Sequence, residues 1–140
     1  MSADSHIYPR NDELGMLGAC LIGGTDIAIE VSSRVPVSAV FCDDIRELFA
    51  IVERLASLGA QCDQGAVSRE WSRVMGAVRF PDSLIQASID ACPSALNASF
   101  FCDGILDAWR RRRVMESGSL LAARSKDASV TVDELISEAE

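Results

Sequence analysis

A run of four arginines, Arg110, Arg111, Arg112 and Arg113, stands in an acidic chain and has the side-chain chemistry to bind phosphate groups. If the run is helical, successive side chains are rotated by about 100° around the axis, so the four cannot all face one nucleic-acid groove. Asp107 and Glu116 flank the run at the spacing of helical ion pairs. We therefore favour a solvated, partly ion-paired helix surface and keep phosphate contact as the alternative.

Cysteine and histidine, the other chemically versatile residues, form no recognisable site. The five cysteines stand at positions 20, 42, 62, 92 and 102 without a CxxC pair, so neither a zinc site nor a disulfide framework is indicated. We expect reduced, mostly buried thiols. His6 is the single histidine, which leaves no His-based triad and no histidine cluster for a metal.

Nucleotide chemistry is not indicated either. The glycine-containing stretch "GACLIGGTD" lacks a following Lys-Ser or Lys-Thr, and GxxxxGK[ST] occurs nowhere in the sequence. The carboxylate pairs Asp12-Glu13 and Asp43-Asp44 are explained by predicted helix N-termini, where negative charge is stabilised. We predict no catalytic, metal-binding or cofactor-binding residues, and therefore no enzyme activity in this chain.

The length, composition and net charge limit the classes of protein to which the chain can belong. A chain of 140 residues fits one domain with one modest core, and 49% hydrophobic with 24% charged residues is typical of a folded globular protein. The net charge of −8 argues against a domain whose main task is to hold phosphates. No apolar run approaches the roughly 20 residues of a membrane span, and the polar N-terminus does not resemble a signal peptide. We expect a cytoplasmic location without a membrane partner.

The elements that must position these residues are predicted to be all-α. Apolar residues recur at helical spacing along most of the chain, and no convincing pair of alternating strands appears. We predict a flexible tail over residues 1–10, a compact bundle of about five helices over residues 11–93, and an extended helical hairpin over residues 94–140. The bundle helices are predicted to start after Asn11, after Thr25, at Asp43, after Asp63 and at Pro81.

The hairpin is the most unusual prediction. Ser94 caps a proline-free segment from 95 to 125 that, if continuous, is a helix of roughly 45 Å, longer than packing inside one small domain needs. Thr131 and Glu134 have the spacing of a capping box for a last helix that begins at Val132. Because the sequence stops within nine residues, we expect this second helix to be truncated and the chain to be a piece of a longer protein.

The hairpin also carries large apolar side chains with two interpretations. They either pack back on the bundle and the last helix, or they are buried against another chain, where aromatic anchors are favoured. The pattern alone leaves both open. The candidate subunit-interface residues are Phe101, Ile105, Trp109, Leu120, Leu121, Val132, Leu135 and Ile136.

With these elements placed, the sequence from Pro9 to Glu140 resembles the N-terminal domain of DnaB-type replicative DNA helicases. The stretch "ELGMLG", from Glu13 to Gly18, resembles the family's Glu-x-x-hydrophobic-Leu-Gly first helix. Most specific is "CPSALNASFFCDGIL", whose residues fall at the spacing of the family's Pro-Ser-Ala, Asn and Tyr. The remaining matches are Leu48-Phe49, Leu55 and Gly59 in the third helix, Cys62-Asp63 before the fourth, and Arg112 with "TVDELISEAE" in the hairpin.

The sequence departs from the family pattern at four positions. Ile45 stands where the family often has His, and Cys62 where Ile or Val is usual. Both changes suit a core. Gly104 and Gly118 replace helical positions, and we expect them to loosen the long helix and the hairpin.

The resemblance implies a non-catalytic module. In this family the domain forms a ring collar, a trimer of dimers, above a RecA-like motor that binds ATP and Mg. Hairpins pair between subunits, and the collar receives the helicase-binding domain of primase and, in some systems, a helicase loader. It implies a homo-oligomer without direct DNA contact. The alternatives are a nucleic-acid-binding module that uses the arginine run, and a free-standing protein that recruits or blocks primase or helicase.

Overall fold

A computed structural model describes residues 4–139, which form seven α-helices and two short 3-10 helices and contain no strand. The α-helices are α1 Arg10–Gly23, α2 Thr25–Arg34, α3 Asp43–Ser57, α4 Gln64–Met75, α5 Asp82–Ala91, α6 Ala98–Arg124 and α7 Val132–Ala139. The 3-10 helices are Val37–Ala39, before α3, and Ala95–Asn97, before α6. The predicted all-α class, with about five bundle helices followed by a helical hairpin, is confirmed.

Local signals fix several helix ends. The Asp63 side chain accepts a hydrogen bond from the Ala66 amide at 2.8 Å and thereby caps α4. Gly59 follows α3 with φ of 67°, a left-handed conformation that favours glycine. The predicted capping box of α7 is also present, because the Glu134 amide donates to Thr131 Oγ1 at 3.1 Å and the Thr131 amide donates to Glu134 Oε2 at 3.4 Å.

Helix α1 lies at the centre of the body, and every residue from Glu13 to Leu21 is buried. Two glycines let its neighbours approach. A Cβ at Gly18 would lie 2.0 Å from the Ser88 carbonyl oxygen of α5, and a Cβ at Gly15 would lie 2.4 Å from the Phe101 ring of α6. The glycines of "ELGMLG" therefore serve close helix packing.

Helix α6 runs unbroken through both of its interior glycines. At Gly104 the missing side chain makes room for Asp12, because a Cβ there would lie 2.2 Å from Asp12 Oδ2. At Gly118 a Cβ would meet nothing within 4 Å. Gly104 thus supports the packing of α6 on α1, whereas nothing in the structure requires glycine at position 118.

The predicted domain boundary between residues 93 and 94 divides residues that belong to one hydrophobic core. The inner half of α6 belongs to the globular body, where Phe101, Cys102 and Ile105 pack in one cluster with α1. The buried residues of α6 end at Arg112. The body therefore extends to Arg112, because the buried apolar residues of α6 continue for about three helical turns, to Ala108, and Arg112 is buried one turn further on.

The predicted flexible tail over residues 1–10 is too long. Residues 1–3 lie outside the described residues. Pro9 is buried, α1 already begins at Arg10, and the Ile7 carbonyl accepts a hydrogen bond from Arg112 at 2.7 Å. Residues 4–8, which we call the N-terminal strap, therefore pack against the body.

Candidate interaction surface

The outer half of α6 leaves the body together with α7. Residues 113–124 continue α6 for about 18 Å beyond Arg112. Helix α7 packs back on α6, and none of its described residues is buried. We call residues 113–139 the arm.

The arm presents large apolar side chains to solvent. Val114 is 72% exposed, Leu120 61% and Val132 69%. Met115 and Ile136 are also exposed, while Leu121 and Leu135 are half-buried. Single exposed apolar residues are normal, but a cluster on one projecting element is typical of a protein-interaction surface.

Two of the predicted interface residues are wrong. Phe101 is 7% exposed and Ile105 is fully buried, because both pack in the core of their own chain. The slot above Gly15 takes the Phe101 ring. Trp109 is half-buried, packs against the same core and lies 5.1 Å from the Arg113 guanidinium. Hydrophobic spacing identified these residues as one apolar face, but it did not show that α1 covers that face.

The other five predicted interface residues, Leu120, Leu121, Val132, Leu135 and Ile136, lie on the arm and stay a prediction. Between the two helices of the arm runs an open groove whose lining includes Val114, Leu120 and Leu121. Arg110 and Arg113 lie at its rim, and Arg124 reaches Glu138 across it at 2.8 Å. The groove is therefore apolar with a mostly basic rim.

The four arginines do not share one environment, as their rotation around the helix predicts. Arg112 is buried and donates to the carbonyl oxygens of Ile7 at 2.7 Å and Ala39 at 2.8 Å. Arg111 donates to Asp107 at 2.8 Å. Arg110 and Arg113 lie beside the groove of the arm. The run is therefore not one phosphate-binding surface.

Arg112 is the member of the run that the sequence interpretation misplaced, since it is neither solvated nor ion-paired on the surface. Its spacing carried a signal. Phe101, Ile105, Ala108 and Arg112 follow one another at intervals of four, three and four residues, which is the stripe of one helix face. A charged residue in register with an apolar stripe indicates a buried, hydrogen-bonded group.

Weak nucleic-acid binding is the result we expect from this arrangement. Titration of single-stranded and duplex DNA at two salt concentrations should give no micromolar binding, and Arg110→Ala with Arg111→Ala should change it little. A strong salt dependence that disappears in the double variant would instead show that the exposed arginines contact phosphates.

Glu13 is a second buried charged residue: it lies in the first turn of α1, as predicted, but its burial was not predicted. It is fully buried, and its carboxylate accepts hydrogen bonds from the Phe41 amide at 2.7 Å and the Cys42 amide at 3.0 Å. These amides directly precede α3, so Glu13 of α1 holds the segment that leads into a different helix. The signal was an acidic residue directly before an apolar run.

Other ionisable groups respond to burial or to a partner. Arg10 donates two hydrogen bonds to Asp44, at 3.1 and 3.0 Å, and these hold the pKa of that carboxyl below its usual value. Burial raises the pKa of the Asp12 carboxyl, with a smaller contribution from Glu13. Burial also raises the pKa of the Cys20 thiol, which disfavours the reactive thiolate.

The cysteines agree with the expectation of unpaired, mostly buried thiols. All five are free, and four are buried while Cys42 is half-buried. Within residues 4–139 no group of three or more His, Cys, Asp or Glu side chains is arranged to hold a metal ion. No helix in that same range is both long enough and apolar enough to span a bilayer.

Comparison of the sequence with protein-family models gives no match, and comparison with curated proteins gives none. Solved structures do match. The chain is similar to the N-terminal domain of DnaB helicase from Mycobacterium tuberculosis, with a TM-score of 0.80 and 22% sequence identity. The fold is that of a DnaB helicase N-terminal domain. The match covers 92% of this chain and 94% of the DnaB domain, so it spans most of both chains.

Proposed function

We propose that the chain is the N-terminal collar domain of a hexameric replicative DNA helicase, acting in the cytoplasm in subunit pairing, ring assembly and the docking of primase or a helicase loader. The observation that carries the proposal is the projecting arm with exposed apolar side chains on a DnaB N-terminal fold. The domain itself is non-catalytic, and ATP and Mg act at a separate motor.

The energetics of the arm support subunit pairing. Removing apolar surface from water stabilises a complex by roughly 25 cal/mol per Å². Within one chain, α7 packs on α6 alone among the helix pairs with more than weak contact, and no described residue of α6 beyond Arg112 is buried. A helix of eight residues is too short to be stable without tertiary packing, so a second copy that covers α7 would stabilise it.

Charge supports the pairing of identical arms. The α6 side of the arm carries the basic residues Arg113 and Arg124, with Arg110 beside them at the groove, whereas α7 carries Asp133 and Glu134 near its start. In a two-fold symmetric pair each surface meets the partner's copy of the other. Antiparallel arms would place the acidic start of one α7 near the basic rim of the partner's groove.

Docking of primase or a loader is proposed for the faces that such pairing leaves open. The chain as a whole carries a net charge of −8, so its collar would repel the DNA backbone and leave protein partners as the natural ligands.

Disruption of assembly by charges on the arm is the expected outcome that tests the proposal. Leu120→Asp and Ile136→Asp should each weaken self-association at least tenfold, about 1.4 kcal/mol, because a buried unpaired carboxylate is costly at an apolar interface. Sedimentation velocity over a wide range of loading concentrations measures the change.

The matched control is Leu58→Asp, which places the same charge on a side chain that is 69% exposed at the end of α3. This variant should associate like the wild type. Phe101→Asp should instead unfold the domain, because Phe101 belongs to the core. If Leu120→Asp and Ile136→Asp sediment like Leu58→Asp, and circular dichroism shows these three variants folded, the arm is not the subunit interface.

A further inference from the structure

We propose that the N-terminal strap and Arg112 form a latch that holds the outer half of α6 in place, so that release of the strap loosens the arm. The latch rests on contacts within one chain and does not depend on the proposed assembly function. It gives residues 4–8 a conformational role, which a flexible tail would not have.

The strap is itself a compact turn. The amides of Ile7 and Tyr8 both donate to the Asp4 carbonyl oxygen at 2.9 Å. This turn directs the Ile7 carbonyl toward α6, where Arg112 Nη1 donates to it at 2.7 Å. The hydrogen bond joins two parts of the chain that are 105 residues apart in sequence.

Arg112 also binds the segment between α2 and α3. Its Nη2 atom donates to the Ala39 carbonyl oxygen at 2.8 Å, and its guanidinium lies 5.2 Å from the centre of the Phe41 ring. The Phe41 ring in turn lies 4.5 Å from the Tyr8 ring. One side chain therefore contacts both the strap and the segment that the strap covers.

The position of Arg112 along α6 determines how much of the helix is unsupported. The last apolar residue of α6 that is buried is Ala108, one helical turn before Arg112. With Arg112 engaged, α6 projects about 18 Å from its last attachment; without it, the last residue packed on the core is Trp109 and the projection is about 22 Å. A longer unsupported helix frays more readily, since helical residues without tertiary contacts are only marginally stable.

The release of the N-terminal strap and the loosening of the arm should therefore occur together. Arg112 cannot leave the core without freeing the Ile7 carbonyl, and an undocked strap deprives the buried guanidinium of one acceptor. A ligand or covalent change that displaces residues 4–8 would loosen residues 113–124, because it removes the strap from Arg112 and from the pocket that His6 and Ile7 share with Val114 and Met115. The strap is thus placed to regulate the arm.

Hydrogen exchange of the full chain, at a concentration where it is monomeric, tests the latch independently of assembly. Arg112→Met keeps the aliphatic stem and removes the donors. We expect amides of residues 113–124 and the amides of Ile7 and Tyr8 to exchange about tenfold faster, with α3 unchanged. Arg111→Met, the neighbouring and exposed control, should leave both segments as in the wild type.

Acceleration confined to the strap, or wild-type exchange in both segments, would overturn the latch. So would a wild-type arm that already exchanges like an unstructured peptide. If Arg112→Met also accelerates α3, the decision passes to Tyr8→Ala, which removes the contact with Phe41 and leaves Arg112 intact. That variant must accelerate residues 113–124 about threefold with α3 unchanged, and wild-type exchange in its arm would refute the coupling.

Discussion

Gly18→Ala should lower the free energy of unfolding by about 3 kcal/mol, the upper part of the usual range for overpacking a core. The added Cβ would lie 2.0 Å from the Ser88 carbonyl oxygen. A flexible side chain could turn away from the new Cβ, but this oxygen belongs to the backbone of α5. Therefore α1 or α5 must shift. Because α1 is buried along most of its length, such a shift disturbs the core. Thermal unfolding followed by circular dichroism should show a Tm lower by about 10 °C.

Gly118→Ala is the matched control, since it makes the same substitution in the interior of another helix. A Cβ there meets nothing within 4 Å, so only the intrinsic helix propensity changes. Alanine should stabilise the helix by up to about 1 kcal/mol. The two variants should therefore shift the Tm in opposite directions. A wild-type Tm for Gly18→Ala would mean that α1 and α5 are not packed as closely as the structure has them.

The helix boundaries could be predicted from local patterns, because the residues that set each boundary are close in sequence. The sequence predicted the start of α3 at Asp43, and the Thr131–Glu134 pair predicted the start of α7. Each signal involves side chains within one or two helical turns. The all-α class and the order of the elements follow from the sum of such signals.

The partner of an apolar face was not predictable in this way. Helical spacing showed that Phe101 and Ile105 share a face, but whether α1 or another chain covers it depends on tertiary packing. The deciding feature was the small size of Gly15, which leaves a slot for the Phe101 ring. Recognising that slot requires pairing residues 86 positions apart, so the first half of α6 was assigned to the hairpin.

The two buried charges show the same limit. Glu13 and Arg112 bind backbone groups that are 28 to 105 residues away in sequence. Backbone amides and carbonyls have no sequence signature, so neither partner could be predicted. Only the burial was foreseeable, from the register of each charge with an apolar stripe. The interface role of Leu120, Leu121, Val132, Leu135 and Ile136 on the arm, by contrast, stays a prediction, because no described residue outside the arm covers them enough to bury them.

Glu13→Ala should lower the free energy of unfolding by about 3 kcal/mol. The carboxylate accepts from two backbone amides, and a hydrogen bond to a charged group contributes about 1.5–3 kcal/mol. Alanine leaves both donors without this acceptor and leaves a cavity beside the start of α3. Glu13→Gln keeps one acceptor oxygen but turns an NH₂ group toward a donor, so it should cost about half as much. Urea unfolding measures both changes.

Glu47→Ala provides the comparison, because Glu47 is an exposed glutamate on α3, the helix that follows the segment bound by Glu13. Surface substitutions of this kind change stability by about 0.5 kcal/mol or less. The expected order of stability is therefore wild type and Glu47→Ala together, then Glu13→Gln, then Glu13→Ala. Equal losses for the two alanine variants would show that the buried carboxylate does not hold the start of α3. If stability instead falls in the expected order, Glu13 positions α3 against α1. It then also positions the segment between α2 and α3 that Arg112 contacts.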